Sequence, residues 1–180
     1  MSTTAIFLYL LILAPILYTQ GYAAKSFCPW VPTRKKDLER LCRFAALEKG
    51  QKFVDLGCGD GRVVRYFSRH SEADCLGIEL SLPHFLYAKF VGRARSLGRG
   101  RRGGEIRYGS LLNMDLTDVD AVFVYGYPTT LQSKLKPKLE RELKPGAKFI
   151  SYRYPIYGFD VAESDRGAKR DDAPIFAYRF

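Results

Sequence analysis

A glycine-rich stretch, residues 53–62 (FVDLGCGDGR), constrains the fold more strongly than any other part of this sequence. A mostly apolar run at 53–56 leads directly into a turn that contains Gly57, Gly59 and Gly61. Glycines at alternate positions let the backbone come close to a bound nucleoside, where any Cβ would clash. The stretch therefore predicts a strand, a glycine-rich turn and a helix in immediate succession.

The charges around this turn indicate which kind of ligand it accepts. Asp55 and Asp60 bracket the turn, and Arg62 occupies the position of the third glycine in the dinucleotide-binding pattern G-x-G-x-x-G. A carboxylate here would repel a pyrophosphate and would attract a cation. The turn therefore favours a positively charged nucleoside without phosphate, of which S-adenosylmethionine is the common example.

A second acidic residue, Glu79, stands where such a site requires one. It ends the next apolar run, residues 76–79 (LGIE), close to 20 residues beyond the glycine turn. A carboxylate at that strand tip can accept hydrogen bonds from both ribose hydroxyls. The alternative is that the glycines form an ordinary tight turn and that Glu79 is a solvated strand end. The combination of strand, turn and spacing favours the ligand site.

The composition is that of a globular chain with a basic balance. Of the 180 residues, 47% are hydrophobic and 27% are charged, which excludes a disordered chain and allows one domain plus an appendage. The formal net charge of +10 suits nucleic acid, an anionic membrane surface or an acidic protein as partner. The four cysteines form no C-x-x-C pair and have no histidine cluster beside them, so we expect reduced thiols and no metal site.

The N-terminal segment, residues 1–24, contains no charged residue. As a helix it would reach about 36 Å, enough to cross a bilayer. A cleaved signal peptide is the alternative, but no basic residue precedes the apolar run as such a peptide requires. Basic residues follow the run instead, at Lys25 and 34–36. The positive-inside rule then predicts a single-pass membrane protein whose main domain faces the cytoplasm.

The arginine-rich segment 92–107 (GRARSLGRGRRGGEIR) is predicted to be a flexible loop. Its charge could attract nucleic acid phosphates or anionic lipid headgroups. We favour lipid, because no interleaved aromatic side chains offer a platform on which bases could stack. Nucleic acid is thereby disfavoured as a partner but not excluded.

Strands and helices alternate along the rest of the chain. This alternation predicts an α/β fold with a mostly parallel sheet covered by helices on both faces. Ligands on such sheets bind at the carboxyl ends of the strands, near the switch in strand order. The predicted strands are 52–56, 74–79, 106–108, 121–125, 148–152 and 174–180.

With these elements in place, the chain resembles the class I S-adenosylmethionine-dependent methyltransferases. It is similar, more narrowly, to the small seven-stranded protein-lysine methyltransferases of archaea and mitochondria. The resemblance spans residues 28–180, and it implies a Rossmann-like sheet of seven strands. The segments that carry it are PWVPT (29–33), DLGCGDGR (55–62), GIEL (77–80), KLERELKPG (138–146) and YRYP (152–155).

The resemblance also implies the residues of the cofactor site. The glycine turn would line the methionine end of S-adenosylmethionine, Glu79 would bind the ribose, and the segment 30–33 would fold over the pocket. Ser110 stands where many relatives carry an acidic or amide residue near the adenine, and its hydroxyl can accept the same hydrogen bond. The predicted cofactor-binding residues are Pro32, Thr33, Asp55, Gly57, Cys58, Gly59, Asp60, Gly61, Arg62, Glu79 and Ser110.

These interpretations divide the chain into three parts. Residues 1–24 form a membrane anchor, 25–33 a linker that covers the pocket, and 34–180 the methyltransferase domain. The proline-bounded linker is expected to be extended, and Thr33 is expected to cap the helix that follows it.

The expected reaction is methyl transfer to a lysine side chain of a protein substrate. Lysine is cationic at neutral pH, so the site must favour its neutral form by desolvation and by nearby aromatic or like-charged groups. We predict Trp30, Tyr127 and Tyr154 at the pocket rim for this role; Tyr125 is a further candidate, and Tyr125 and Tyr154 could equally be core residues.

Two other functions stay open at the level of sequence. The same fold could methylate RNA or a small molecule, which the basic charge would suit. The chain could also bind the cofactor without catalysis, because no residue is required as a general base. His70 and His84 are isolated on predicted helices, and we expect them to be surface or capping residues.

Overall fold

The computed structural model describes residues 2–96 and 104–180. The prediction of a loop over 92–107 is wrong at both ends, because 92–96 belong to a helix and 105–107 to a strand. Residues 97–103 of that segment lie outside the described residues. Where the chain is described, strands and helices alternate as the sequence predicts.

The described residues form one mixed sheet of seven strands, which confirms the predicted fold class. The strand order is β3-β2-β1-β4-β5-β7-β6, and the first five of these are parallel. The seventh strand in the chain runs antiparallel to its two neighbours. The strands are β1 (Lys52–Leu56), β2 (Asp74–Glu79), β3 (Glu105–Tyr108), β4 (Ala121–Val124), β5 (Lys148–Tyr152), β6 (Glu163–Asp165) and β7 (Ile175–Arg179).

Helices cover both faces of this sheet. Alternate residues of a strand point to opposite faces, so Phe53 and Phe123 lie in one apolar core while Val54 and Val122 lie in the other. The helices are α1 (Thr3–Ser26), α2 (Leu38–Ala45), α3 (Arg62–His70), α4 (Leu82–Ser96), α5 (Pro128–Thr130) and α6 (Lys136–Glu142), and a π-helical segment (Leu131–Leu135) joins α5 to α6.

The π-helical segment has a reason in the sequence. Leu131, Leu135 and Leu139 recur every four residues, and all three are fully buried against one face of the sheet. In a regular α-helix of 3.6 residues per turn, each step of four residues rotates the side chain by about 40°, so the three leucines would spread across one face. The wider π turn keeps all three on the buried side.

The N-terminal helix α1 extends to Ser26, two positions beyond the predicted end of the anchor. In the described part of the chain it is the one helix long and apolar enough to cross a membrane, by length and composition alone. A signal sequence near the N-terminus passes the same test.

A buried polar cluster ties the segment before α2 to the centre of the sheet. The Tyr152 hydroxyl donates to Asp37 Oδ2 at 2.6 Å, and Arg40 pairs with Asp37 Oδ1 at 2.7 Å. Arg40 also pairs with Asp165 of β6 at 3.0 Å. Burial and the Asp37 hydrogen bond raise the pKa of Tyr152, which keeps its hydroxyl a donor. The cluster therefore joins α2, β5 and β6.

Replacing Tyr152 with phenylalanine should destabilise the protein by about 1–3 kcal/mol, because a buried Asp37 oxygen loses its donor. Urea unfolding of the full chain in detergent, followed by circular dichroism, measures this change. Tyr157 is 70% exposed, so Tyr157→Phe should change the unfolding free energy by less than about 0.5 kcal/mol. Equal effects of the two variants would contradict a structural role for the cluster.

Candidate active site

The glycine turn lies at the carboxyl edge of the sheet, between β1 and α3. Gly57, Gly59 and Gly61 have φ of +81°, +55° and +73°, a left-handed conformation that other residues adopt only with strain. The amides of Gly57 and Cys58 donate to the carbonyl oxygen of Ile78 at 2.9 and 3.0 Å. The turn is therefore fixed to the end of β2, next to the switch in strand order.

Glu79 ends β2 beside this turn, as the sequence predicts. Its Oε2 accepts from the Gly59 amide at 2.7 Å, and its Oε1 accepts from the Ser81 amide at 2.8 Å. Each oxygen keeps a lone pair for a further donor. The two backbone amides hold the carboxylate in one orientation, and its contact with a ribose stays a prediction.

Asp55 lies at the floor of the site and is fully buried. Its Oδ2 is a buried side-chain oxygen for which the described residues provide no hydrogen-bond partner. Burial, together with the negative charges of Glu79 and Asp60, raises the pKa of Asp55 well above the usual range of a carboxyl group. A cationic ligand would supply the missing partner and favour the charged form.

Arg62 connects the glycine turn to the segment that precedes α2. Its guanidinium pairs with Asp60 at 2.6 Å and donates to the carbonyl oxygen of Thr33 at 3.0 Å. Burial acts to raise the pKa of Asp60, but hydrogen bonds from Arg62 outweigh it and lower that pKa. Asp60 is therefore charged and occupied by Arg62, whereas Asp55 is available to a ligand.

The expectation that Thr33 caps the next helix is wrong. A 3₁₀ turn (Lys35–Asp37) precedes α2, and Asp37 occupies the cap position. Thr33 is buried instead, with its carbonyl oxygen held by Arg62. The chain inserts a 3₁₀ turn between the linker and the helix, which a capping motif alone does not reveal.

These elements enclose a cavity of about 300 Å³, within the usual size of small-molecule sites. Most of the predicted site residues meet there although they come from separate segments. Those that line the cavity are Trp30, Pro32, Thr33, Asp55, Gly57, Cys58, Asp60, Arg62, Glu79 and Ser110.

The remaining predicted residues lie elsewhere. Gly59 and Gly61 shape the backbone of the turn without lining the cavity. Tyr127 precedes α5 and is half-exposed. Tyr154 packs against the apolar core that contains Val54 and Val122. Tyr125, in contrast, lines the cavity. The roles of Tyr127 and Tyr154 with an acceptor lysine stay predictions.

Trp30 covers the glycine turn. A Cβ added at Gly59 would overlap its indole ring, so glycine is needed there for space as well as for conformation. The indole ring also lies against His84, with ring centroids 4.5 Å apart. His84 agrees with the expectation of a capping residue, because its Nδ1 lies 2.9 Å from the Ser81 hydroxyl at the start of α4. It also lines the cavity.

One wall of the cavity comes from the end of α1, of which the sequence pattern assigned 1–24 to the anchor and 25–33 to the linker that covers the pocket. Gln20, Ala23, Ala24 and Ser26 of α1 line the cavity beside Phe27 and Cys28. No motif marks these residues, because alanine, serine and glutamine at such positions carry no recognisable signal for a site. Their position follows only from the docking of α1 on the domain.

Comparison with known proteins agrees with this geometry. Residues 55–163 match the ANTKMT methyltransferase domain family. A protein-lysine N-methyltransferase of Saccharolobus islandicus (strain REY15A) is 29% identical over 75% of this chain and 82% of its own length. A human lysine N-methyltransferase named after a component of ATP synthase is 30% identical over 74% of this chain but only 55% of its own length.

The fold is also similar to that of a solved methyltransferase. The crystal structure of an RNA methyltransferase from Salinibacter ruber, in complex with S-adenosyl-L-homocysteine, superposes with a TM-score of 0.73 and 25% identity. The similarity covers 83% of this chain and 93% of that one. Together with the family match, this identifies S-adenosylmethionine as the cofactor. An Asp55 oxygen without a partner among the described residues, in a cavity that Glu79 also lines, suits the ammonium and ribose groups of that cofactor.

Replacing Asp55 with asparagine should weaken the binding of S-adenosylhomocysteine at least about tenfold, because a charged hydrogen bond contributes about 1.5–3 kcal/mol. Isothermal titration calorimetry on the full chain in detergent measures this affinity. Asp118→Asn removes an exposed carboxylate that pairs with Lys52, and it should leave the affinity unchanged. Unchanged affinity in the Asp55 variant would contradict the assigned role.

The same variant should make the ligand-free protein more stable near neutral pH. Unfolded Asp55 loses its proton near pH 3.9, whereas the raised pKa in the folded protein delays this loss. The folded state therefore binds more protons between those two pKa values, and its stability falls as the pH rises through that interval. Asp55→Asn should remove this part of the pH dependence, as thermal melting across pH would show.

Replacing Gly59 with alanine should displace Trp30 and weaken cofactor binding at least about tenfold, since backbone strain and a steric clash combine. Gly50→Ala is the matched control, because Gly50 is also left-handed but has open space around its Cβ direction. Trp30 is the single tryptophan of the sequence, so its fluorescence reports the displacement directly. An unshifted emission spectrum in the Gly59 variant would refute the contact.

Proposed function

Because the chain belongs to the ANTKMT methyltransferase domain family, we propose that it is a membrane-associated protein-lysine N-methyltransferase that uses S-adenosylmethionine. The observation that carries this proposal is a buried oxygen of Asp55, in a cavity at the carboxyl edge of the sheet, to which no residue in the described part of the chain donates a hydrogen bond. A cation is the ligand that such an oxygen favours. S-adenosylmethionine provides one and brings no phosphate.

Bound S-adenosylmethionine supplies a methyl group already activated by its sulfonium. In this proposal the protein contributes alignment, exclusion of water and a neutral acceptor. Asp55 would hold the ammonium group of the cofactor, and Glu79 would hold its ribose. Trp30, fixed over the glycine turn, together with the segment that Arg62 holds at Thr33, closes the cavity to water.

The acceptor is a lysine amine, which must lose its proton before it can attack. A partly apolar entrance lowers the pKa of a lysine that enters it, because desolvation disfavours the charged form. Trp30 and Tyr125 line the cavity, and Tyr127 lies half-exposed beyond the end of β4. We assign the reception of the acceptor to these aromatic side chains, and no side chain is assigned as general base.

Membrane association is the part of the proposal that depends on α1. All of its 24 residues are apolar or uncharged except Lys25, and none is fully buried. The lysine specificity of the relatives, carried over to this chain, supports a protein substrate. The apolar helix α1 supports a location of that substrate at or near a membrane. The predicted cytoplasmic orientation of the domain stays a prediction.

RNA methylation is the second candidate, and two observations favour it. The net charge is +10, and one structure of similar fold is that of an RNA methyltransferase. Against it, two of the relatives that are similar in sequence are named as lysine methyltransferases.

A transfer assay tests the proposal. The full chain in detergent should move label from methyl-labelled S-adenosylmethionine to proteins of a membrane extract, and acid hydrolysis should recover the label as methyllysine. Asp55→Asn should reduce the transfer at least about tenfold, following its loss of affinity, whereas Asp118→Asn should not. Parallel reactions with total RNA decide the second candidate. Label in RNA alone would overturn the proposal.

A further inference from the structure

The apolar helix α1 is docked on the domain along its second half. Leu13, Ile16, Thr19 and Ala23 are half-buried on one face of it, and this face recurs at helical spacing. The helix contacts α4. Residues 2–12, in contrast, are exposed throughout. The helix therefore has a free half and a docked half.

Polar contacts fix the docked half in place. Thr19 Oγ1 accepts from the Leu82 amide at 3.4 Å, and the Ser81 hydroxyl bonds to the Gln20 side chain. At its end, Lys134 donates to the carbonyl oxygen of Ser26. The Ser81 amide N–H also donates to the carboxylate of Glu79. Ser81 therefore contacts both the docked helix and the residue that is predicted to bind the ribose.

The length of the free half limits how α1 can enter a membrane. Residues 3–12 reach about 15 Å at 1.5 Å per residue. The hydrocarbon core of a bilayer is about 30 Å thick. While α1 stays docked, its free half therefore reaches through one leaflet and does not span the bilayer.

The neighbouring helix α4 offers a surface that fits the same leaflet. Leu86, Tyr87 and Phe90 are 39%, 55% and 66% exposed. They stand at positions i, i+1 and i+4, so they form one apolar stripe on the helix. Lys89 lies between Tyr87 and Phe90 in the sequence, and two arginines follow at 93 and 95. An apolar stripe with flanking basic residues is typical of helices that lie in an anionic membrane interface.

The entrance of the cavity is adjacent to this stripe. His84 is one helical turn before Tyr87 on α4, and its ring lies against Trp30. Trp30 and Val31 are themselves 46% and 47% exposed. Tyr22 on α1, stacked against Tyr18, is exposed on the other helix. Aromatic side chains of this kind are enriched at the level of lipid headgroups.

We propose that α1 and α4 together form a monotopic membrane-binding surface, defined by residues 3–12 and by Leu86, Tyr87 and Phe90, that enters one leaflet of an anionic bilayer. This surface holds the entrance of the cofactor cavity, marked by Trp30, at the level of the headgroups. The inference rests on the proposed membrane association. It differs from the predicted single-pass anchor, because α1 would enter one leaflet and would not cross the bilayer. An acceptor lysine at the membrane surface can then reach the cavity without leaving the interface.

Trp30 itself provides the test, because it is the single tryptophan of the sequence. The full chain is reconstituted into vesicles of phosphatidylcholine and phosphatidylglycerol, with or without bromine on the acyl chains near the headgroup. We expect brominated lipid to quench the Trp30 emission about twofold or more, since the ring lies at the interface. Trp30→Phe combined with Glu72→Trp places the reporter at an exposed position before β2, and this control should not be quenched.

A second measurement addresses α4 directly. The triple variant Leu86→Ser, Tyr87→Ser and Phe90→Ser should bind the vesicles at least about tenfold more weakly in flotation, because interfacial binding scales with buried apolar area. Tyr157→Ser combined with Val161→Ser removes exposed apolar side chains away from α4 and should leave binding unchanged. Unchanged melting temperatures confirm that both variants fold.

The outcomes separate this inference from the proposed function. Vesicle binding without quenching of Trp30, and without an effect of the triple variant, would overturn the inference while leaving membrane association through α1 intact. A chain that does not float with vesicles at all would overturn both the inference and the membrane association. The transfer assay in detergent decides the methyltransferase activity in either case.

Discussion

The hydrogen bonds from Gly57 and Cys58 to the Ile78 carbonyl oxygen are the contact on which the site depends. They hold the glycine turn against the end of β2, and this places Asp55 and Glu79 at the same edge of the sheet. The glycines make that turn possible, because they adopt the left-handed conformation without strain. At Gly59 a side chain would in addition overlap Trp30. Cofactor cavity, covering segment and ribose ligand all build outward from this turn.

The site is maintained at a cost to the ligand-free fold. Two carboxylates are buried near each other, and one oxygen of Asp55 has no partner among the described residues. Burying a polar group without a hydrogen bond costs free energy that packing must offset. Groups of this kind cluster at functional sites. The same group that lowers the stability of the empty protein therefore gives it affinity for a cation.

Much of the fold could be predicted from local patterns. The strands β1, β2 and β5 have the predicted bounds, since each is an apolar run delimited by turn residues. The three-residue strand β6 was not predicted, because its residues are polar and half-exposed or exposed, and it exists only through pairing with β7. The 3₁₀ turn before α2 escaped prediction for a similar reason, because Asp37 is held by the Tyr152 hydroxyl from the distant strand β5.

The sequence by itself determined the cofactor end of the site, because the glycine turn, Asp55 and Glu79 are specified by residue type at short spacing. The tertiary structure alone decided the rest. It brought Gln20, Ser81 and His84 to the cavity, left Tyr127 and Tyr154 outside it, and docked an apolar helix on α4. Contacts between residues far apart in the chain depend on how whole elements pack, and no local pattern encodes that packing.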